Sequence, residues 1–315
     1  NKRINNPIGV AAGFDKDGRI YDSMFSIGFG FVEIGTVTPL PQSGNLAPRI
    51  FRLVEDNALI NRLAFNSRGA DRMARIFTDL IEIKNSNNLS YKMLGINIGK
   101  NTSTILESAW VDYVSGIEKL YPFADYFNIN ISSPNTKDLR SLHQKDELKY
   151  LLEKICSIRD KLDQNNSRKT PITLKLSPDI NDEELKDSIL VIKDFPIQGL
   201  VATNTTIKRP QLKNKFKSED GGLSGKPLKN RSTEIIKILF KEIGNQIEII
   251  GVGGIFNGED AYEKIKAGSS AIQIYSALIY EGPSIVRKIK SELAALLARD
   301  GFNSVKEAVG SSFRD

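Results

Sequence analysis

Cysteine and histidine are almost absent from this chain, each occurring once among 315 residues. A single thiol, Cys156, closes no intrachain disulfide and supports neither a Cys-ligated iron–sulfur cluster nor a zinc finger. It falls within "YLLEKICSIRDKL", an apolar pattern of helical period, where a buried structural thiol is expected rather than a reactive one. The lone His143 offers no cluster for a metal, so no metal site is expected, and a surface position is expected for it. No apolar run reaches the roughly 18 residues of a membrane-spanning helix. Charge of one sign is not concentrated: 44 Lys and Arg stand against 38 Asp and Glu, a net +6. Only "IKRPQLKNKFK" at 207–217 gathers basic residues, and no RNA-recognition, zinc-finger or helix-turn-helix pattern accompanies it. A nucleic-acid partner is therefore not expected. An initiator methionine is also missing. The chain opens at Asn1 and enters a strand-like run near residue 8, so the expectation is a fragment whose natural N-terminus, with any targeting or anchoring segment, has been removed.

What is present is a repeated alternation. The length suits one large α/β domain or two ordinary ones. Strand-like runs are "IGVAA" (8–12), "FVEIGTV" (31–37), "MLGINIG" (93–99), "YFNINIS" (126–132), "ITLKLS" (172–177), "GLVAT" (199–203), "IEIIGV" (247–252) and "AIQIY" (271–275). Between them lie helical patterns, among them 70–83, 146–162, 232–243 and 258–268. Strand and helix repeated eight times predict an α/β fold of the (β/α)8 TIM-barrel type, a single domain over 1–315, with a doubly wound sheet as the alternative. Two connections exceed a minimal barrel: a small β excursion within 38–66 and a long polar loop after strand six, 204–228. Connections of such length in a compact domain tend to be lids or binding elements. "KNSNNLS" at 84–90 is expected to be an ordinary polar loop.

In a barrel of this type chemistry collects at the C-terminal ends of the strands. Those ends read "AAGFDKDG", "GTVTP", "NIGKN", "NISSPNT", "KLSPD", "ATNTT", "GVGGI" and "IYSAL". They offer amides, hydroxyls, glycines and two lysines, Lys16 and Lys175, and almost no carboxylate. Any one such end is an ordinary turn; together they describe a pocket for a flat heterocycle with several carbonyl and NH groups, plus an anion. Gly253 and Gly254 after strand seven and "YSAL" after strand eight stand where barrels commonly bind phosphate, and "GGLSGKP" at 221–227 supplies a further backbone nest.

Taken in order, "NPIGVAAGFDKDG", "GFVEIGTVTP", "PRIFRL", "INRLAFN", "GINIGKN", "NISSPNT", "ATNTT", "GGLSGKPL", "IIGVGGI" and "QIYSAL" resemble the dihydroorotate dehydrogenase family, in its class 2, quinone-reducing, membrane-associated branch. The resemblance implies an FMN-containing enzyme that oxidises (S)-dihydroorotate to orotate in pyrimidine synthesis and passes electrons to a ubiquinone-type quinone. It implies Ser133 as the base that takes the C5 proton while hydride leaves C6 for flavin N5. Class 1 relatives use a cysteine instead, and Cys156 lies well beyond the motif. FMN is expected at Ala11, Ala12, Gly13, Thr36, Asn97, Asn130, Lys175, Thr203, Ser224, Gly225, Gly253, Gly254, Tyr275 and Ser276. Substrate is expected at Lys16, Asn61, Phe65, Asn130, Asn135, Asn204 and Thr205, with Thr136 beside Ser133 and Ser132 structural. Arg52 and Tyr275 are expected on the quinone side.

Three residues depart from the family pattern. Ala64 replaces a usual glycine, so its loop is expected either displaced or with a backbone that avoids positive φ; Lys137 and Asp138 replace small residues or Pro-Gly. A monomer is expected, attached to a membrane surface through the missing N-terminal segment. The tail "LLARDGFNSVKEAVGSSFRD" resembles that of mitochondrial members, which favours the mitochondrial inner membrane; a bacterial source would imply the cytoplasmic membrane. The alternatives are a related FMN barrel with another pyrimidine or electron acceptor, and a non-catalytic barrel or a nucleic-acid-binding protein that uses its basic surface.

Overall fold

The computed structural model describes residues 4–84, 92–244 and 246–314. Its strands are β1 (Ile8–Val10), β2 (Phe31–Val37), β3 (Ile50–Leu53), β4 (Ala58–Asn61), β5 (Met93–Ile98), β6 (Tyr126–Asn130), β7 (Ile172–Leu176), β8 (Gly199–Ala202), β9 (Gly222–Gly225), β10 (Glu248–Val252) and β11 (Ala271–Ile274). Its helices are α1 (Tyr21–Ile27), α2 (Ala70–Lys84), α3 (Ala109–Leu120), α4 (Lys145–Asn166), α5 (Asp182–Lys193), α6 (Lys229–Ile243), α7 (Gly258–Lys266), α8 (Ser276–Glu281), α9 (Ser284–Arg299) and α10 (Val305–Ala308). Eight strands close into a barrel in the order β1-β11-β10-β8-β7-β6-β5-β2. Every pair in it is parallel, so the fold is the expected (β/α)8 barrel. Most barrel strands stop one or two residues before the sequence pattern does. Ala11–Ala12, Ile131–Ser132, Thr203 and Tyr275 leave the ladder. Several of these residues turn into the cleft described below.

The barrel strands obey a period of two that separates their faces. Val32 and Ile34, Ile96 and Ile98, Phe127 and Ile129, Leu174 and Leu176, Ile272 and Ile274 belong to the main apolar core. Between them Glu33, Asn97, Asn128, Asn130, Lys175 and Gln273 are buried as well. The apolar face packs outward against helices, and the lumen is polar. Burial of that outer face supplies most of the driving force at about 25 cal/mol per Å² of apolar surface.

The two long connections do not stay separate. β3, β4 and β9 form one antiparallel sheet, with Ala58 opposite Gly225 and Asn61 opposite Gly222. Its own small core holds Phe51, Leu53, Ala58, Ile60, Leu212 and Leu223. The basic loop is tied to the β3–β4 turn, where Lys213 N and Asn214 N donate to the Asp56 carboxylate at 2.9 and 3.0 Å. In the stretch 84–90, Lys84 closes α2 and the remainder lies outside the described residues.

Cys156 is buried, and burial pushes its thiol up to about 11. His143 is not on the surface, contrary to expectation. It is 5% exposed, its Nδ1 lies 3.0 Å from the Arg140 carbonyl, and Ser177 N donates to its Nε2 at 3.4 Å. The loop before α4 folds inward as a short 3-10 turn, Leu139–His143, and carries the ring with it. Burial holds His143 down at about 4, so the ring is neutral near pH 7.

Candidate active site

The strand ends and the small sheet enclose a cleft of about 920 Å³, including the space at its open mouth. Ala11, Ala12, Gly13 and Lys16 enter from the loop after β1, Thr36 from β2, Asn130, Ser133 and Asn135 from the end of β6, and Lys175 from β7. Thr203, Asn204 and Thr205 follow β8, Gly253 and Gly254 follow β10, and Tyr275 and Ser276 follow β11. Asn61, Phe65, Ser224 and Gly225 come from the small sheet and its edges. Two expected residues stand apart from the lining. Asn97 is fully buried one hydrogen bond behind Thr36, whose Oγ1 donates to Asn97 Oδ1 at 2.5 Å. Arg52 is exposed on β3, its guanidinium 5.7 Å from the Tyr280 ring centroid.

Gln273, Leu63, Leu228 and Phe256 line the cleft without having been anticipated. The apolar three carry no chemical signature in sequence. Gln273 did: it is the polar residue at the inward register of "AIQIY".

Ser133 is 6% exposed, and its Oγ accepts from Asn135 N at 3.3 Å. Amides surround it in place of an acid or a histidine. Asn135 Nδ2 donates to Asn61 Oδ1 at 3.1 Å, and Asn61 Nδ2 donates to the Gly222 carbonyl at 3.4 Å. Asn204 Nδ2 donates to Ser132 Oγ at 3.0 Å and to Asn130 Oδ1 at 3.1 Å. Arg140 fastens the loop from behind, donating to the Ser132 and Thr205 carbonyls at 3.3 and 3.2 Å and pairing with Asp179 at 2.9 Å. The Thr136 hydroxyl is buried with no protein partner among the described residues.

The Ala64 backbone does not avoid the left-handed region: φ is +54° at Ala64 and +50° at Phe65. A side chain there costs about 1–2 kcal/mol relative to the right-handed region. Gln42 holds the turn, its Nε2 donating to the Ala64 and Phe65 carbonyls at 3.1 and 3.0 Å. Asp138, another of the departures from the family pattern, is likewise left-handed at +55°, a conformation that aspartate tolerates better than most residues. Both substitutions therefore keep a backbone suited to glycine.

Charge in the cleft is positive. Burial pushes the Lys175 ammonium below the usual lysine range, and the Glu33 carboxylate beneath it opposes that shift. Lys175 forms no ion pair among the described residues. Lys16 is held down at about 8, first by burial and then by the Arg49 cation. The Gln273 Oε1 is buried without a partner among the described residues, and the Gly253–Gly254 backbone borders the cleft. Gly254 has φ +72°, and a Cβ there would lie 2.5 Å from the Lys229 Cβ, so the backbone itself forms that wall. Ser224 and Ser276 hydroxyls meet at 2.9 Å and join the small sheet to the barrel. Cationic, amide and backbone groups on these walls fit a bulky anionic cofactor beside a second flat polar ligand.

The model of the family described as dihydroorotate dehydrogenase matches residues 1–297. The chain belongs to the dihydroorotate dehydrogenase family. A protein named dihydroorotate dehydrogenase (quinone) from Rhodospirillum rubrum is 47% identical over 315 residues, covering 100% of this chain and 83% of its own length. The mitochondrial dihydroorotate dehydrogenase (quinone) of Mus musculus is 45% identical over 313 residues, covering 99% and 78%. Among solved structures, that of DHODH in complex with ferulenol from Eimeria tenella superposes with a TM-score of 0.94 at 41% identity, covering 98% of this chain and 86% of that one. Family and barrel therefore agree, and most of this chain's strand-end strings contribute to the cleft.

Proposed function

We propose that this chain oxidises (S)-dihydroorotate to orotate within pyrimidine synthesis, holding FMN in the cleft and delivering electrons to a quinone. The observation that carries the reading is the convergence of Ser133, four cleft asparagines and Lys16 on the space that Lys175 and the Gly253–Gly254 backbone also face. The quinone and the substrate follow from the names of the relatives, which this chain matches along its whole length.

The residues fit FMN. Lys175 supplies an unpaired cation for the ring system, Gly253, Gly254 and Ser276 supply donors for a phosphate, and Thr203 and Gly225 complete the wall. Bound FMN would accept hydride from the substrate. Lys16 pairs with the substrate carboxylate, and Asn61, Asn130, Asn135 and Asn204 match the donors and acceptors of its ring. Polarising the ring carbonyl next to C5 lowers the basicity demanded of Ser133, whose Oγ takes the C5 proton as its own hydroxyl proton leaves. Thr136, three residues along the loop, has spare hydrogen-bonding capacity for that departing proton. Phe65 closes the site against bulk water. The chain acts as a single domain and a monomer at a membrane surface, the mitochondrial inner membrane in a eukaryote.

The purified protein is expected to show flavin absorption bands that bleach anaerobically with dihydroorotate and recover with a quinone, but not with fumarate or NAD. A colourless protein that takes up no FMN, or a flavin that dihydroorotate leaves oxidised, would sink the reading.

A further inference from the structure

Glu33, on β2, is fully buried in the barrel lumen and lies outside the lining of the cleft. Its Oε1 accepts from Asn97 Nδ2 at 3.0 Å and Asn128 Nδ2 at 2.8 Å. Its Oε2 accepts from Tyr126 OH at 3.0 Å and Gln273 Nε2 at 2.9 Å. Four donors from three other strands thus converge on one carboxylate, which has no hydrogen to return.

That one-way character propagates upward. Because Asn97 must offer Glu33 its Nδ2, its Oδ1 points the other way and accepts from Thr36 Oγ1 at 2.5 Å and Asn130 Nδ2 at 3.1 Å. Asn130 Nδ2 is then committed, so its Oδ1 accepts from Asn204 Nδ2 at 3.1 Å. Asn204 Nδ2 is committed in turn, and its Oδ1 accepts from Thr205 N at 2.8 Å. An amide is nearly symmetric in shape, and only its partners decide which end is donor. Reversing one link would set donor against donor in a buried place, at a cost of about 1–3 kcal/mol.

We propose that Glu33 is a positioning residue that sets the donor–acceptor polarity of the Asn97–Asn130–Asn204 chain and so decides which amide atoms meet the ligands. The inference rests on the dihydroorotate reading of the cleft. It separates polarity from packing through three variants. Glu33→Gln keeps the volume and loses the acceptor-only character, whereas Glu33→Asp keeps the carboxylate and loses a methylene. The double variant Glu33→Gln with Asn97→Asp moves the acceptor-only group one link up, where the relocated carboxylate still accepts from Thr36 and Asn130.

Orotate binding to the flavin-loaded proteins, followed by the change in bound-flavin absorption, is expected to weaken about tenfold in Glu33→Gln, less in Glu33→Asp, and to return toward wild type in the double variant. Thermal unfolding without ligand should rank the four proteins in the same order, and this readout stands even if the wild type binds neither FMN nor orotate, the result that would overturn the functional reading alone. Wild-type behaviour of Glu33→Gln, a larger loss in Glu33→Asp than in Glu33→Gln, or additive losses in the double variant would each overturn the polarity proposal. If Glu33→Gln does not fold, a folded double variant supports the proposal and an unfolded one overturns it.

Discussion

Ser133 sits among neutral amides, with its nearest hydrogen bond supplied by the backbone of Asn135. As the proposed base it would contribute by position, and Ser133→Ala is expected to retain flavin and orotate while losing roughly 10²–10⁴ in turnover. Near wild-type turnover would remove Ser133 from the mechanism. Lys16 makes a pH prediction with a definite sign. Burial and Arg49 hold it at about 8, so the ammonium proposed to meet the substrate carboxylate is present below that pH and lost above it. In the free enzyme kcat/KM for dihydroorotate should fall with rising pH from about 8, and Lys16→Met should be slower and lack that limb. A limb that survives in Lys16→Met would assign it to another group.

At the scale of elements, β9 is the piece that joins the two long connections. Leu223, fully buried in the small core, opposes Ile60 across the ladder, and its neighbour Gly222 accepts from the Asn61 amide. Leu223→Ala should cost about 2–4 kcal/mol locally. Amide exchange should quicken in β3, β4 and β9 ahead of the barrel, with KM for dihydroorotate rising more than kcat falls; uniform exchange across the barrel would show that the sheet has no independent looseness. This sheet also marks the limit of what the sequence told. All eight barrel strands were legible, because each is a short run rich in β-branched residues that stops at turn residues. The pairing of β4 with β9 joins segments more than 150 residues apart, and periodicity carries no signal for such a partner. Most of the cleft was legible through the strand-end strings, whereas Gln273 and Glu33 were passed over inside strands read for their apolar residues. His143 was misplaced for a related reason: a polar ring satisfied by two backbone groups looks in sequence like any loop histidine.

As a whole the molecule offers the cleft from seven of its eight barrel strands or the loops that follow them, with the small sheet as its cover. Unfolding should be a single transition in which flavin is released with the loss of secondary structure, and FMN at a hundredfold excess over Kd should add about 2.7 kcal/mol to the stability of the folded state. Flavin release well ahead of unfolding would mean that the site is an independently melting unit. His143 makes that stability depend on pH. Its folded value, about 4, lies below the ordinary 6.5, so the unfolded chain binds the extra proton between these limits. Stability should be complete above about pH 6.5 and fall by up to about 3 kcal/mol toward pH 4, and His143→Asn should flatten that slope. The polar lumen has a further consequence. Along β6, Phe127 and Ile129 face the shell while Asn128 and Asn130 face the axis, so fold and chemistry are written in one segment as two interleaved texts, a letter of each in turn. Such a strand can have one text edited while the other is left to read as before. A survey of every substitution along it, scored once for folding and once for turnover, should trace two sawtooth profiles out of step by a single residue.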